Sequence, residues 1–454
     1  MDINQNIFKA YDIRGVYQKD FDATMAYQLG LAYVKSREQE LGKTGLKIVA
    51  SSDMRLSSPI LKQSLMKGLS AGGAEVIDIG LSSTPTFYFA VAHYGYDGGI
   101  MVSASHNPKD WNGFKLVRQK ALPIGLDNGL ATIRELIVAG NLTPAIKQGA
   151  ITIQEHVVVD QVKHDLQYVD VQRIKPFKIV VDPANAMGAD YFEELFKHLP
   201  GELIKMNWQL DGSFPAHEAD PYKLANIKDL CQTVLSAKAD LGIATDGDGD
   251  RIFFVDELGQ PISAGITRAI LCQLFLQDKP GAKIAYDIRP GKITEDIIKA
   301  NGGIPIITKV GHSLIKQQAV DEGAYFAGEA SGHFFLNMDE GCYEVPMIVA
   351  LKLLQALSAT NERLSSLVKP FQKYYHSGEI SLSVPNVQEK LAQLKAKYHD
   401  GQINELDGIN VTYPDFWFNV RASNTESLLR LNLEAISNEL MQTKREEVLA
   451  LIKN

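Results

Sequence analysis

Short β-branched runs alternate along this chain with stretches whose apolar residues recur every three to four positions. "LKIVASSD" precedes "SPILKQSLMKGLSAGGA", which is spaced like a helix and ends at glycines, and "AEVIDIG" and "GGIMVSAS" follow as further strands. The same rhythm returns at "FKIVVDPANAMG", "LGIATDGDGDRIFFVD", "AKIAYDI" and "IPIITKVGHS". Strand, helix, strand at this spacing predicts α/β domains with mixed, largely parallel sheets. Near the end the pattern changes. "GEISLSV", a helix-like "NVQEKLAQLKAKYH", "GINVTY", "FWFNVRAS" and "LLRLNLEA" alternate apolar and polar residues, which predicts an antiparallel sheet with helices on one face. Boundaries near 150, 253 and 367 divide the chain into 1–150, 151–252, 253–366 and 367–454, three similar α/β domains and a C-terminal α+β domain.

Composition narrows the class. The chain has 454 residues, and 45% of them are apolar, enough for several packed cores. Its net charge is −8 and no Lys/Arg run stands out, which argues against nucleic acid as a partner. A small anionic substrate stays open, because local donors decide that. Cys231, Cys272 and Cys342 are widely spaced and odd in number, so neither a disulfide framework nor a zinc site is expected. The first residues lack a basic and apolar leader pattern. The most apolar helix-like stretch, "VPMIVALKLLQAL", carries a lysine and is too short to span a bilayer. A soluble, cytoplasmic protein that meets neither membrane nor nucleic acid is the expectation.

The strongest chemical signal is "TDGDGDRIFFVD". Asp246, Asp248 and Asp250 alternate with glycines between two strand-like runs. Three carboxylates this close repel one another unless a hard cation sits among them, and the glycines let the backbone turn all three to one point. Glu257 falls at the twelfth position from Asp246, as in an EF-hand, but Arg251 occupies the place that needs glycine and strands flank the loop. A plain hydrophilic turn is the other alternative. In "SASHNPKDWNGFK", Ser105 precedes a His-Asn-Pro turn. If the segment is extended, the side chains of Ser105 and His106 diverge, so a hydrolase-like Ser–His pair is not expected. Alone the serine reads as a turn cap; beside a metal loop it can carry a phosphate.

"GEASGHFF" spaces Glu329, Ser331 and His333 on alternate positions after "AYFA", so an extended backbone would aim all three at one pocket, and Glu329 could accept from two adjacent sugar hydroxyls. A polar row at a strand edge is the alternative. "RASNTESLLR" offers Arg421, Ser423, Asn424 and Thr425, a set suited to a phosphate; Ser423 with Glu426 also fits a helix capping box. Arg14 in "YDIRG" and His312 in "TKVGHSLIK" are weaker signals. Neither a P-loop nor a dinucleotide fingerprint is present.

Together, "YDIRG", "SASHNP…NGFK", "DGDGDR", "GEASGH" and "RASNTE" resemble, in order and approximate spacing, the α-D-phosphohexomutase superfamily, most closely its phosphomannomutase/phosphoglucomutase branch. The matches run from residue 11 to residue 430. The resemblance implies a heart-shaped, four-domain protein with one motif per domain facing a central cleft: a phosphoserine domain, then metal-binding, sugar-binding and phosphate-binding domains. It implies that Ser105 is phosphorylated and that Asp246, Asp248 and Asp250, with a phosphoserine oxygen, hold Mg2+. Glu329 and Ser331 would read sugar hydroxyls, and Arg421, Ser423, Asn424 and Thr425 would grip the phosphate not being transferred. Arg14, Lys115, Arg251, His312 and His333 would line the cleft; Lys115 and His333 are the acid/base candidates, and His106 joins the catalytic set as the neighbour of the serine. Lys9 stands where the family commonly has arginine, "SSDMR" replaces Gly-Arg-Asp-x-Arg while keeping Asp53 and Arg55, and "DEG" replaces Asp-Asp-Gly.

The implied reaction moves a phosphoryl group between O1 and O6 of a hexose phosphate by way of a hexose 1,6-bisphosphate, which serves as intermediate and activator. Mannose phosphates come first as substrates and glucose phosphates second; phosphoglucosamine mutase and a non-catalytic sugar-phosphate-binding protein are the alternatives, and a metal-dependent phosphatase is a third. The expected state is a monomer or weak homo-oligomer.

Overall fold

Strands form where the apolar runs lie, in a computed structural model that describes residues 4–289, 291–422 and 428–453. The chain falls into two units, Met1–Ile262 with Gly332–Ser365, and Ser263–Ser331 with Ser366–Asn454. In the first unit, β1 (Ile13–Val16), β2 (Lys47–Ser52), β3 (Glu75–Leu81), β4 (Gly98–Val102), β5 (Trp111–Arg118) and β6 (Ile151–Ile153) form a sheet ordered β1-β5-β4-β2-β3-β6. β4, β2, β3 and β6 run parallel, and β5 lies antiparallel between β1 and β4. All five residues of β4 are buried, as an unbroken apolar run in the middle of a mixed sheet requires.

A second sheet in this unit has the order β11-β10-β9-β7-β8, from β7 (Phe177–Asp182), β8 (Gly201–Lys205), β9 (Leu241–Thr245), β10 (Ile252–Asp256) and β11 (Pro261–Ile262). β7, β8 and β9 are parallel, and β10 returns antiparallel to β9. In the second unit β12 (Lys283–Asp287) lies between β13 (Ile304–Thr308) and β14 (Phe326–Gly328), all parallel. The first unit also holds the hairpin of β15 (Phe334–Asn337) and β16 (Cys342–Glu344). The last part of the second unit is antiparallel: β17 (Tyr375–His376), β18 (Ile380–Leu382), β19 (Gln402–Asn404), β20 (Ile409–Thr412), β21 (Phe416–Ala422) and β22 (Leu429–Ala435), ordered β17-β22-β21-β20-β19 with β18 also on β22. The expected α/β rhythm followed by an antiparallel α+β end is therefore present. "GEISLSV" forms only the three residues of β18, and "NVQEKLAQLKAKYH" forms the helix Val387–Lys397. Among the described residues no helix is long and apolar enough to cross a membrane.

Two helices brace the first sheet. α1 (Ala23–Leu41) starts at Asp22, whose carboxylate accepts from the N–H groups of Thr24 and Met25, and α2 (Ser58–Ala71) ends at Gly72. They pack backbone to backbone: a Cβ at Gly68 would stand 2.1 Å from the Tyr27 carbonyl oxygen, and one at Gly30 would stand 2.6 Å from that of Leu65. Around this seam lie Ala26, Leu29, Leu61, Leu65 and Leu69, all inaccessible to solvent. The seam fixes α2, whose first turn carries Ser58 next to Asp53 and Arg55. Gly68→Ala is expected to lower stability by about 1–3 kcal/mol, the usual cost of overpacking a close contact, seen as an earlier first transition in thermal unfolding followed by circular dichroism. An unshifted transition would show that the helices separate freely.

Candidate functional site

The loop that follows β4 carries Ser105, and a buried arginine dictates its shape. Arg55, with no solvent exposure, donates from its terminal nitrogens to four carbonyl oxygens of that loop: Ser105 at 2.7 Å, Asn107 at 2.6 Å, Pro108 at 2.8 Å and Trp111 at 3.0 Å. Its Nε lies 3.3 Å from Asp53, and Asp53 in turn accepts from Ser58 Oγ at 2.6 Å. From β1, Arg14 donates to Asn107 Oδ1 at 2.7 Å and to Asp12 at 2.7 Å. So held, Ser105 sits at φ 50°, in the left-handed region that non-glycine residues avoid. The backbone here is turned and not extended, and that corrects one expectation. Ser105 Oγ and His106 Nδ1 do not diverge but lie 3.3 Å apart. Burial, aided by Arg251 and Arg14, pushes the His106 imidazole well below its ordinary range, so the ring is neutral.

The loop after β9 brings the aspartates to the same place. Ser105 Oγ donates to Asp246 Oδ2 at 2.8 Å. Gly247 passes so close that a Cβ there would meet the Ser105 carbonyl oxygen at 2.4 Å, and Gly249 turns the chain at φ +72°. From α3 (Thr84–His93), Thr84 fixes the loop twice, its N–H donating to the Asp248 carbonyl at 2.8 Å and its hydroxyl to Asp248 Oδ2 at 2.5 Å. Lys115, buried on β5, donates to Asp248 Oδ2 at 2.5 Å and Asp250 Oδ2 at 2.6 Å. Arg251 Nε lies 3.7 Å from Asp246, and His333 Nε2 lies 3.1 Å from Asp250 Oδ1 and 3.3 Å from Arg251 Nε. Glu257, the EF-hand candidate, faces elsewhere and accepts from Ser365.

Burial, reinforced by repulsion from Asp250 and Asp248, pushes the Asp246 carboxyl well above the ordinary range. Burial opposes the charge of Asp250 too, but Lys115 and His333 outweigh it and hold this carboxyl well below that range. The Lys115 ammonium gains correspondingly: burial works against it, yet Asp248 and Asp250 keep it charged. Asp246, Asp248 and Asp250 each offer an oxygen within 4.8 Å of the others, and Asp248 Oδ1 is buried with no hydrogen-bond partner. An all-oxygen set of this charge with an oxygen to spare fits a hard divalent cation such as Mg2+.

The remaining predicted residues lie in the second unit, with His333 the exception. Glu329 and Ser331 follow β14 in a turn, and Gly332, at φ +89°, ends any extended course before His333. The expected single face of Glu329, Ser331 and His333 is therefore absent; His333 joins the aspartates instead, and the other two stay together. Ser331 Oγ lies 3.5 Å from Glu329 Oε2, and the N–H of Gly311, just ahead of His312, donates to Glu329 Oε1 at 3.0 Å. Arg289, which sequence reasoning missed, lies 3.5 Å from Glu329 Oε1 and 3.4 Å from Ser331 Oγ, anchored by Asp287 at 2.9 Å. Arg421 is buried on β21 against Glu379. Ser423, Asn424, Thr425 and the Glu426 of the capping-box alternative lie outside the described residues. Thr84, Glu379 and Glu344 were also missed; the last is a buried carboxylate on β16 within reach of Asp250 and His333. Each is a single polar residue in an ordinary-looking run, and only tertiary pairing marks it.

A buried hydroxyl against an acidic loop, backed by a captive ammonium, suits phosphoryl transfer, and comparison with known proteins agrees. Residues 5–141, 157–259 and 266–374 match phosphoglucomutase/phosphomannomutase α/β/α domains I, II and III, and residues 379–451 match the C-terminal domain of the same family. A phosphomannomutase of Escherichia coli is 39% identical over 98% of this chain and 99% of its own. One from Methanocaldococcus jannaschii is 37% identical over 98% and 97%. A crystal structure of a phosphoglucomutase/phosphomannomutase family protein from Burkholderia thailandensis superposes with a TM-score of 0.89 at 31% identity, covering 100% of this chain and 98% of that one. The chain belongs to the phosphoglucomutase/phosphomannomutase family and is an enzyme of its phosphohexomutase, isomerase type.

Proposed function

We propose that this chain moves a phosphoryl group reversibly between O1 and O6 of a hexose phosphate, mannose 1-phosphate and mannose 6-phosphate first and glucose phosphates second, through phosphorylated Ser105 and a hexose 1,6-bisphosphate. The observation that carries the reading is the 2.8 Å contact of Ser105 Oγ with Asp246 inside a buried set of three carboxylates. The mannose preference is supported by the relatives' names.

In the first half, the bond from Ser105 Oγ to phosphorus breaks as a bond from O6 forms, and the O6 proton leaves for a base. Lys115, held charged by two aspartates, is not the acceptor; His333 takes the proton in its neutral form, the form in which Nε2 accepts from Arg251 Nε. The ammonium of Lys115 and the guanidinium of Arg251 then oppose the charge that builds on the phosphoryl oxygens. In the second half, Ser105 Oγ takes the group on O1, its proton leaving towards Asp246 Oδ2 or His106 Nδ1, and O1 recovers a proton. Arg55 and Arg14 keep the serine loop in attacking position. Asp246, Asp248, Asp250 and an oxygen on Ser105 would hold Mg2+, which when bound neutralises phosphoryl charge. In this reading Glu329, Ser331 and His312 bind the sugar hydroxyls, while Arg421 with Ser423, Asn424 and Thr425 grips the distal phosphate. Burial of Ser105, 2% exposed, keeps water from the phosphoserine.

Intact-protein mass spectrometry should find one phosphoryl group on Ser105, and Ser105→Ala should cut mutase turnover by about 10³-fold or more; a fully active variant would falsify the relay. EDTA should abolish turnover and Mg2+ restore it, whereas Asp248→Asn should stay at least about 10²-fold slow at saturating Mg2+; indifference to chelation sinks the metal assignment. With catalytic bisphosphate present, kcat/KM should rank mannose 1-phosphate first, glucose 1-phosphate second and glucosamine 1-phosphate last; a glucosamine-first order would move the enzyme to the other branch.

A further inference from the structure

Three guanidinium groups in the second unit bear on one carboxylate. Strands β21 and β22 put Arg421 directly opposite Arg430, a like-charge cross-strand pair that is unfavourable by itself. Glu379, just ahead of β18, answers it. Its Oε1 accepts from Arg430 at 2.8 Å, its Oε2 accepts from Asn432 Nδ2 at 3.3 Å, and Arg421 lies 3.7 Å from Oε2. Arg289 acts on the same carboxylate through space. Burial opposes the charge of Glu379, but Arg289, Arg430 and Arg421 outweigh it, so the group remains an anion at neutral pH. Asp407 also acts on Arg421.

A phosphate that reaches Arg421 therefore meets a guanidinium already shared with an internal anion. We propose that Glu379 is a built-in competitor that sets how tightly the Arg421 grip holds a phosphate. The inference rests on reading Arg421 as part of that grip. Its value to the reaction follows from the chemistry: a bisphosphate intermediate must surrender one phosphate and return with the other, so a grip of unopposed arginines would hold it too long. Glu379 takes up the guanidinium charge as the phosphate leaves and so lowers the cost of letting go.

The test is the dissociation constant of inorganic phosphate, measured by calorimetry on the full chain and its variants. Glu379→Gln keeps a carbonyl acceptor for Arg430 and removes the charge; phosphate should bind roughly 5–10-fold more tightly, with KM for hexose 1-phosphate and kcat both falling. A merely structural role would loosen binding instead. Glu379→Asp keeps the anion and should stay within about twofold of the parent. Asn432→Asp replaces the donor to Glu379 Oε2 with a second carboxylate and should weaken binding, which keeps the question open to test if Glu379→Gln does not fold. Unchanged or weaker phosphate binding in Glu379→Gln, or unchanged binding in Asn432→Asp, overturns the proposal. Arg421→Ala separates the two levels: if it binds phosphate like the parent, the grip itself is misassigned; if it loses phosphate while Glu379→Gln does not tighten, only the competitor role fails.

Discussion

Three carboxylates buried within 4.8 Å of one another repel, and the architecture of the first unit is arranged around that repulsion. Low local polarity magnifies it, since burial removes the water that would screen the charges. Lys115 on β5, Thr84 at the start of α3 and the Ser105 hydroxyl each reach the loop from a different element. Those elements belong to one sheet and its helices and the aspartate loop to the other, so the two sheets of the unit share a polar centre. The charges are unevenly settled: Lys115 and His333 hold the Asp250 carboxyl low, burial and repulsion push that of Asp246 up, and it is Asp246 that touches the serine. A site in that state is prepared to accept positive charge beside the Ser105 hydroxyl.

The second unit solves the opposite problem. There arginines crowd together and a carboxylate between them offsets their repulsion. Arg289 acts through space on Glu379 and also lies against Glu329 and Ser331, so the carboxylate among the arginines and the Glu329–Ser331 pair belong to one ionic set.

Much of the fold was legible because parallel strands buried on both faces leave an unmistakable apolar run, as in "GGIMV" and "LGIAT". The aspartate loop was legible for a different reason: alternating Asp and Gly has few uses besides turning carboxylates to one point. Local periodicity misled where backbone left its regular course. Glu329, Ser331 and His333 looked like one strand face, but Gly332 at φ +89° splits them, and Ser105 at φ 50° brings a histidine back that an extended chain would send away. Arg289, Thr84 and Glu379 carry no pattern at all. Their roles arise from partners 42, 164 and 51 positions away, and no window of sequence contains both ends.

Arg55 grips the serine loop only by main-chain oxygens. Every residue type presents the same carbonyl, so the clamp is blind to which side chains the loop bears. Evolution can therefore rewrite residues such as Lys109 and Asp110 without disturbing the curve that presents Ser105. The inheritance is lopsided: most of the loop's lettering is free to drift, Asn107 excepted because Arg14 reads its side chain, while the curve rests chiefly on an arginine far upstream that reads none.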